Sequence, residues 1–272
     1  MALTVAIIGA LEKEVAQVYE TLEQRSQSDE AGLSVARGRL GSVCIVACTA
    51  GMGTVNAAAA TQHLISAYGA GTVIFSGIAG GLNPALHIGD VVVGERLRYL
   101  DTDTALIAES VPGLEEFAST EHLVALAEEE LLAQGYRVVD AAAQELPAGT
   151  INADETSHQT EAEQATTAPV LDDRPRYLRG TIATGDRFVT GDAMRAAAIE
   201  ATSADCVEME GAAVAHIATK NGAACLVLRA ISDNCDEAYD ALSQRQFDLD
   251  EYARSASALT LGIVRRLEAE ER

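Results

Sequence analysis

The chain alternates short apolar segments with alanine-rich segments of helical periodicity, and this alternation limits the folds open to it. Strand-like segments occur at residues 3–9, 43–49, 72–78, 90–97, 179–184, 205–209 and 225–231. Helical patterns cover Glu12 to Leu22, Gly53 to Tyr68, Glu121 to Leu132, Gly211 to Lys220 and Asp248 to Leu267. The alternation predicts a layered α/β domain, and it argues against a sandwich or a helical bundle.

The composition fits a core built from aliphatic side chains. Hydrophobic residues make up 48% of the 272 residues, aromatic residues make up 4%, and tryptophan is absent. A chain of this length can form one α/β domain or two small ones. The formal net charge of -22 disfavours nucleic acid and anionic membranes as partners, because phosphate groups are bound mainly by lysine and arginine.

The N-terminal run and the cysteines predict a cytoplasmic protein. The run from Met1 to Gly9 has no basic flank and is too short to span a membrane, so we interpret it as the first strand. The cysteines form neither a CxxC pair nor a Cys/His cluster, which favours reduced, buried thiols and implies no structural zinc. These residues are Cys44, Cys48, Cys206, Cys225 and Cys235.

One segment interrupts the alternation. Residues 138–173 contain no lysine or arginine but eight acids, and such a stretch can contribute little to a core. We therefore predict a single domain over residues 1–272, with an acidic and mobile surface insertion at about 138–173. A regulatory or partner-binding role for the insertion is the alternative to a solvated loop.

A carboxylic acid ends one of the apolar runs. Ser232 and Asp233 follow the run from Cys225 to Ile231, and continuous runs of this kind are typical of strands covered on both faces. Ligands of open α/β sheets collect outside the carboxyl ends of such strands, which predicts that Asp233 lies at the mouth of a site. The alternative is that Asp233 caps the next helix or begins a turn.

Two further groups of acids follow strand-like segments. Glu208 and Glu210 are two residues apart, so both side chains project to the same side of a strand. Gly211 then begins an alanine-rich helix, where a polar ligand could lie; the alternative is an edge strand with both glutamates in water. Glu14 lies in a first helical turn, where acids commonly complement the helix dipole, and only convergence with Glu210 and Asp233 would make it part of a site.

Glycine-containing turns follow three of the strands and allow a ligand to approach the backbone closely. None matches the full dinucleotide-binding fingerprint, and the lysine of a P-loop is absent. Phe188, at the end of the third turn, could stack on a base or could be an ordinary core residue. The turns are Gly51-Met52-Gly53, Gly77-Ile78-Ala79-Gly80-Gly81 and Thr184-Gly185-Asp186-Arg187-Phe188.

Several of these blocks, taken in order, resemble the 5′-methylthioadenosine/S-adenosylhomocysteine nucleosidases of the nucleoside phosphorylase superfamily. The resemblance covers nearly the whole chain and fails only over about residues 105–178. The Glu-Met-Glu and Ala-Ile-Ser-Asp blocks point to the superfamily, and the N-terminal acids narrow it to the nucleosidase branch. The matching blocks are Ile7 to Glu14, Gly77 to Leu82, Ile88 to Val93, Val207 to Glu210 and Arg229 to Asp233.

The resemblance implies a three-layer αβα single domain with a central, twisted, mixed β-sheet of the nucleoside phosphorylase/hydrolase kind. It also implies hydrolysis of the N-glycosidic bond of 5′-methylthioadenosine and S-adenosylhomocysteine, with 5′-deoxyadenosine as a further candidate. The products would be adenine and a 5-thioribose compound, with no cofactor and no metal ion. The expected assembly is a homodimer, in which roughly Leu106 to Phe117 of one subunit contributes to the neighbour's 5′ pocket.

The resemblance further implies roles for individual residues. Asp233, helped by Ser232, would protonate N7 of adenine, so it must hold a proton near neutral pH. Glu14 would activate the water, and Glu210 would bind the ribose hydroxyls. The other implied substrate-binding residues are Met209 at the sugar, Phe188 and Val189 at the adenine, Arg229 near the water, Phe247 over the 5′ group, and Met52, Ile78, Ala79, Gly80 and Glu208 around the pocket.

Three other functions remain open from the sequence. A purine nucleoside phosphorylase would need arginines around phosphate, and this chain has Phe75 where such enzymes commonly have one. An aminodeoxyfutalosine or futalosine hydrolase shares the same acids, so only the 5′ pocket would distinguish it. A non-catalytic nucleoside-binding protein need not retain Glu14, Glu210 and Asp233 together. Ile78 replaces a frequent serine or threonine of the family, which predicts a changed rate rather than a changed reaction.

Overall fold

The computed structural model of the protein describes residues 3–109, 115–139, 174–236 and 246–271, and these residues form eleven strands and seven helices. The strands are β1 (Thr4–Gly9), β2 (Glu23–Glu30), β3 (Leu33–Leu40), β4 (Val43–Thr49), β5 (Thr72–Gly81), β6 (Val91–Tyr99), β7 (Phe117–Ala118), β8 (Arg137–Val138), β9 (Arg176–Thr184), β10 (Cys206–Glu208) and β11 (Ala224–Asp233). The helices are α1 (Glu12–Thr21), α2 (Thr54–Tyr68), α3 (Thr104–Ala108), α4 (Glu121–Ala133), α5 (Asp192–Thr202), α6 (Gly211–Asn221) and α7 (Gln246–Glu270).

The strands form one mixed sheet in the order β10-β9-β6-β11-β5-β1-β4-β3-β2, with β7 beside β6 and β8 beside β9. β1 is parallel to β4 and β5, β5 is parallel to β11, and β11 is antiparallel to β6. β10 pairs with β9 on one side and with the end of β5 on the other, so five strands close into a ring. Gly80 is consequently in register with both Val207 and Asp233, which brings the ends of β5, β10 and β11 together.

Helices cover both faces of the sheet. Val5 and Ile7 of β1 belong to a buried cluster with side chains of α1, α4 and α7. Ala6 and Ile8 point the other way and join a second cluster with side chains of α2 and α6. This two-residue alternation is expected for a central strand buried on both faces. The three-layer α/β architecture with a mixed central sheet is therefore confirmed.

The predicted strands and helices are all present, with bounds that differ by at most about three residues. The sequence did not indicate β2, β3, β7, β8, α3 or α5. β2 shows why an apolar pattern does not reveal every strand, because its residues Glu23–Glu30 are polar and almost all exposed. Backbone pairing with β3 makes it a strand, and side-chain hydrophobicity contributes nothing to the pattern.

The first residues of the predicted insertion belong to the fold. Val138 lies in β8, which pairs with β9, and Val139 is buried. Residues 140–173 lie outside the described residues, as do 110–114 of the segment expected at a dimer interface. Both expectations therefore stay predictions. No helix within the described ranges is long and apolar enough to cross a membrane.

The cysteines are free thiols, as expected. Four are buried, and Cys44 is partly buried. Burial raises the pKa of Cys48 and Cys225 to about 12, which keeps these thiols protonated and unreactive as nucleophiles.

Candidate active site

A cavity of about 540 Å³ lies where the carboxyl ends of β1, β5, β10 and β11 meet. Its lining also includes the loop after β9 and Leu249 of α7. Two predicted site residues are not part of the lining: Arg229 lies in the interior beside it, and the Phe247 side chain lies outside the described part of the structure. The predicted residues that line the cavity are Glu14, Met52, Ile78, Ala79, Gly80, Phe188, Val189, Glu208, Met209, Glu210, Ser232 and Asp233.

Glu14 is held in place by backbone N–H groups from two elements. Its Oε2 accepts hydrogen bonds from Ala10 (2.7 Å) and Leu11 (2.9 Å), and its Oε1 accepts one from Ile78 (3.1 Å). Burial raises the pKa of this carboxyl group, while the charge of Arg229 and the three N–H groups limit the rise. The site thus contains a fixed carboxylate that can take up a proton.

Arg229 is buried among carboxylates. Its Nη2 pairs with Oε2 of Glu208 and lies 3.6 Å from Oε2 of Glu210. The guanidinium also lies over the ring of Phe75, 4.2 Å from the ring centroid, in a cation–π contact. Burial alone would lower the pKa of Arg229, but the surrounding carboxylates outweigh burial and raise it. Arg229 therefore stays charged and partly neutralises the acids behind the cavity.

The carboxylate oxygens of Glu208 accept hydrogen bonds from other groups of the protein. It accepts hydrogen bonds from the hydroxyl of Thr184, from the N–H of Glu210 at 3.0 Å and from the N–H of Gly211 at 2.7 Å. The ion pair with Arg229 adds a further donor. These contacts position the start of α6 and Arg229, and a contact between Glu208 and substrate stays a prediction.

Glu210 keeps more of its carboxylate available. Its Oε1 accepts a hydrogen bond from the N–H of Gly53 at 2.7 Å, and its Oε2 is too far from Arg229 for a hydrogen bond. Burial, and then the negative charge of Glu208, raise the pKa of Glu210 to about 8. Glu210 is a buried acid whose Oε2 accepts no direct hydrogen bond from Arg229 and can accept one from a ligand hydroxyl.

The start of α2 is fixed by a side chain from the loop after β9. Asp186 accepts hydrogen bonds from the N–H of Thr54 at 2.8 Å and from its hydroxyl at 2.7 Å. It therefore supplies the N-terminal cap that Gly53, with φ of +96°, has no side chain to provide. The contact joins the loop that carries Phe188 to the backbone that holds Glu210.

Asp233 is 3% exposed and has partners on both oxygens. Its Oδ1 accepts the N–H of Cys235 at 2.8 Å, and its Oδ2 lies 2.9 Å from Oγ of Ser232. The same Oγ lies 3.2 Å from the carbonyl oxygen of Ala79. Asp233 thus forms the local turn considered in the sequence and also lines the cavity. An added Cβ at Gly80 would lie 2.5 Å from Sγ of Cys235 and 3.0 Å from Oδ1 of Asp233, so a side chain there would displace Cys235 beside the proposed acid.

The Ile88-Gly89-Asp90 block supports β11 from outside the cavity. The N–H of Gly89 donates to the carbonyl of Ile231 at 2.8 Å, and the N–H of Ile231 donates to the carbonyl of Asp90 at 2.8 Å. The buried carboxylate of Asp90 pairs with Arg176. These contacts fix the residue that precedes Ser232 and Asp233.

The cavity includes residues that the sequence did not identify as part of a site. The sequence could have indicated Lys13, because it is a basic residue between two acids. It could not have indicated Leu249, which comes from a helix distant in sequence. Over the described ranges, no group of three or more His, Cys, Asp or Glu side chains is arranged to hold a metal ion. The additional lining residues are Ala10, Leu11, Lys13, Arg187, Val207, Cys235 and Leu249.

The sequence matches a known protein family over almost its whole length. A family model described as the phosphorylase superfamily matches residues 4–266. The chain belongs to the phosphorylase superfamily.

The chain is similar over nearly its whole length to individual members of the superfamily. The chain is 32% identical to a 5′-methylthioadenosine/S-adenosylhomocysteine nucleosidase of Treponema pallidum, over 98% of this chain and 94% of the relative. It is 26% identical to an aminodeoxyfutalosine nucleosidase of Campylobacter jejuni, over 97% of each chain. A crystal structure of the methylthioadenosine/adenosylhomocysteine nucleosidase of Neisseria meningitidis with methylthio-immucillin-A matches with a TM-score of 0.76 and 27% identity, covering 96% of this chain and 98% of that one.

Proposed function

We propose that the protein hydrolyses the N-glycosidic bond of 5′-methylthioadenosine and S-adenosylhomocysteine, releasing adenine and the 5-thioribose product. 5′-Deoxyadenosine is a further candidate substrate. The observation that carries the proposal is the convergence of Glu14, Glu210 and Asp233 on one cavity from three separate elements. The nearly full-length similarity to nucleosidases supports the same class of reaction.

Asp233 is the proposed general acid. Cleavage of the bond leaves negative charge on adenine, and a proton delivered to N7 neutralises it. Ser232 can serve both states of the acid, because its Oγ lies within hydrogen-bond distance of Asp233 and of the Ala79 carbonyl. It accepts from protonated Asp233 while donating to Ala79, and it donates to Asp233 after the proton has left.

Glu14 is the proposed base for the attacking water. Its raised pKa brings its basicity closer to that needed near neutral pH, and its three backbone hydrogen bonds fix its position. Glu210 is the proposed ligand of the ribose hydroxyls, through the oxygen that Gly53 does not occupy. In its ionised form Glu210 would also stabilise positive charge that develops on the sugar in an oxocarbenium-like transition state.

Apolar and backbone groups complete the proposed substrate site. Phe188 would stack on the adenine, and the Val189 backbone would contact its edge. Met209 and Met52 would lie against the sugar and the 5′ side. Ile78, Ala79 and Gly80 contribute the end of β5, where Ile78 offers an aliphatic side chain instead of a hydroxyl.

Water is favoured over phosphate as the nucleophile. A phosphate dianion would need arginine side chains directed at it. Arg229 is instead paired with Glu208 and lies over Phe75, and Phe75 occupies the position at which phosphorylases of the superfamily commonly have an arginine. The test is adenine release in phosphate-free buffer: we expect full activity there, and strict dependence on phosphate would refute hydrolysis.

The role of Asp233 is tested by Asp233→Asn, which keeps the size of the side chain but cannot deliver the proton. We expect turnover to fall by about 10²- to 10⁴-fold, while equilibrium binding of a nucleoside stays measurable. Near-normal turnover in this variant would exclude Asp233 as the acid. A nucleoside-binding protein without catalysis would show binding but no adenine release in the wild type.

A second candidate is hydrolysis of aminodeoxyfutalosine, because the relative from Campylobacter jejuni is matched over 97% of both chains. The three proposed catalytic acids would act identically on that substrate, since its leaving group is also adenine. A parallel assay of the four nucleosides ranks them by kcat/KM.

We further propose a homodimer, tested by light scattering of the full chain.

A further inference from the structure

Lys13 places a positive charge in a cavity rich in acids. The chain contains only two lysines, Lys13 and Lys220, and Lys13 lines the cavity. A carboxylate on a substrate would be repelled by the acids unless a cation lay close to it. Lys13 provides such a cation in the first turn of α1, next to the proposed base. The acids that line the same cavity are Glu14, Glu208, Glu210 and Asp233.

Asp250 of α7 faces Lys13. The Nζ of Lys13 lies 3.8 Å from Oδ1 of Asp250, and the two side chains are 25% and 41% exposed. Charge-assisted N–H···O bonds measure about 2.7–2.9 Å, so this pair is not closed by a direct hydrogen bond. An ammonium has three donors and a carboxylate has several lone pairs, so each group can accept another partner. Leu249, which precedes Asp250, lines the cavity.

A second contact joins α1, which carries Lys13, to α7, which carries Asp250. Oγ of Ser257 donates a hydrogen bond of 2.5 Å to the carbonyl oxygen of Glu14. Asp250 and Ser257 are seven residues apart on α7, which is two helical turns, so both lie on the face directed at α1. The hydrogen bond therefore holds α7 against the start of α1, with Asp250 opposite Lys13.

We infer that Lys13 and Asp250 form a subsite for the zwitterionic α-amino-acid end of a 5′-substituent, as found in S-adenosylhomocysteine. Lys13 donates to the carboxylate, and Asp250 accepts from the ammonium. This inference rests on the proposed function, whose 5′ specificity it defines. A 5′-methylthio group has neither charge, and the aryl carboxylate of aminodeoxyfutalosine matches Lys13 but not Asp250.

Arg187 is the other basic residue of the lining, and it fits this role less well. Lys13 faces an acid, Asp250, that can accept from an ammonium, and among the described residues no ion pair of this kind is found for Arg187. Its place next to Phe188 also associates it with the proposed adenine side. Arg187→Met therefore distinguishes a generally basic cavity from a specific pair.

The experiment measures kcat/KM for adenine release from S-adenosylhomocysteine, methylthioadenosine and aminodeoxyfutalosine. We expect Lys13→Met and Asp250→Asn each to lower the value for S-adenosylhomocysteine by about five- to tenfold, as for a partly exposed charged hydrogen bond. The value for methylthioadenosine should stay within about twofold. Asp250→Asn should not lower the value for aminodeoxyfutalosine. Lys220→Met, the same substitution at the other lysine, should change no value.

Other results would overturn the inference. Equal losses for S-adenosylhomocysteine and methylthioadenosine would show a structural role for Lys13 rather than recognition of an amino acid. A loss in Arg187→Met but not in Lys13→Met would assign the carboxylate to Arg187. Wild-type values in Asp250→Asn would remove the ammonium contact. If the wild-type protein releases no adenine from any of these substrates, the proposed function itself is refuted. That outcome differs from a failure of the subsite alone, in which the wild type is active and the variants show no selective loss.

Discussion

Arg229 and Glu208 form an ion pair in the interior of the protein, with side chains that are 1% and 2% exposed. The charge of Arg229 also lowers the pKa of Glu14 and Glu210 relative to what burial alone would cause. One buried cation thus balances three acids, of which two are proposed to act on substrate. The stability of the site and its protonation are therefore coupled through Arg229.

Replacement of Arg229 by methionine should destabilise the protein strongly. The substitution leaves Glu208 buried without its cation, and breaking a buried pair on one side costs about 3–5 kcal/mol. The free energy of unfolding from urea denaturation measures the effect. Arg179→Met is the matched control, because Arg179 pairs with Glu95 and Glu121 nearer the surface, where we expect a loss of about 1 kcal/mol or less. Similar losses in both variants would contradict the buried role.

Gly77 should be sensitive to even the smallest side chain. A Cβ at this position would lie 2.5 Å from Oε1 of Glu14 and 2.6 Å from Nη1 of Arg229, so one of these groups must move. We expect Gly77→Ala to lower kcat by at least about tenfold, because displacement of a base by a fraction of an ångström is costly. Gly71→Ala is the control, since no atom lies within 4 Å of a Cβ there. Unchanged kcat in Gly77→Ala would show that Glu14 does not need this position.

The core strands could be predicted from the sequence because burial on both faces leaves continuous apolar runs. The run from Cys225 to Ile231 and the run from residue 3 to 9 are examples, and both became central strands. β2 could not be predicted, because an edge strand with exposed polar residues is determined by pairing with β3 and not by hydrophobicity.

The acids that line the cavity could be predicted because each lies at or just after the end of a strand that reaches the cavity. Their mutual arrangement could not, because it depends on the pairing of β10 with both β9 and β5, which no local pattern encodes. Glu208 illustrates the difference between what its local sequence indicates and what only the fold determines. Its spacing from Glu210 indicated a shared direction, but its partners Thr184 and Arg229 are brought to it only by the fold.

Stability should depend on the ionisation of Glu210. Its pKa in the folded protein is about 8, above the ordinary value of 4.5, so the folded state retains a proton that the unfolded state releases. The resulting contribution to stability is fully present below about pH 4.5 and is lost as the pH rises through about 8. We expect the free energy of unfolding to fall less steeply between about pH 5 and pH 9 in Glu210→Gln than in the wild type. The difference between the two pH profiles therefore reports Glu210 together with its electrostatic interaction with Glu208 and Glu14. Parallel profiles would contradict the raised pKa.

Asp186 should affect both stability and substrate affinity, although it lies at the surface. It caps α2 through Thr54, and the adjacent Gly53 holds Glu210, so loss of the cap loosens the backbone beside a proposed ribose ligand. We expect Asp186→Ala to lower the free energy of unfolding by about 1 kcal/mol and to raise KM more than it lowers kcat. Asp186→Asn retains an oxygen that can accept from the Thr54 N–H, so it should recover most of both effects. Urea denaturation and steady-state kinetics measure the two quantities. A variant with alanine that loses stability but keeps the wild-type KM would separate the cap from the site and disprove the coupling.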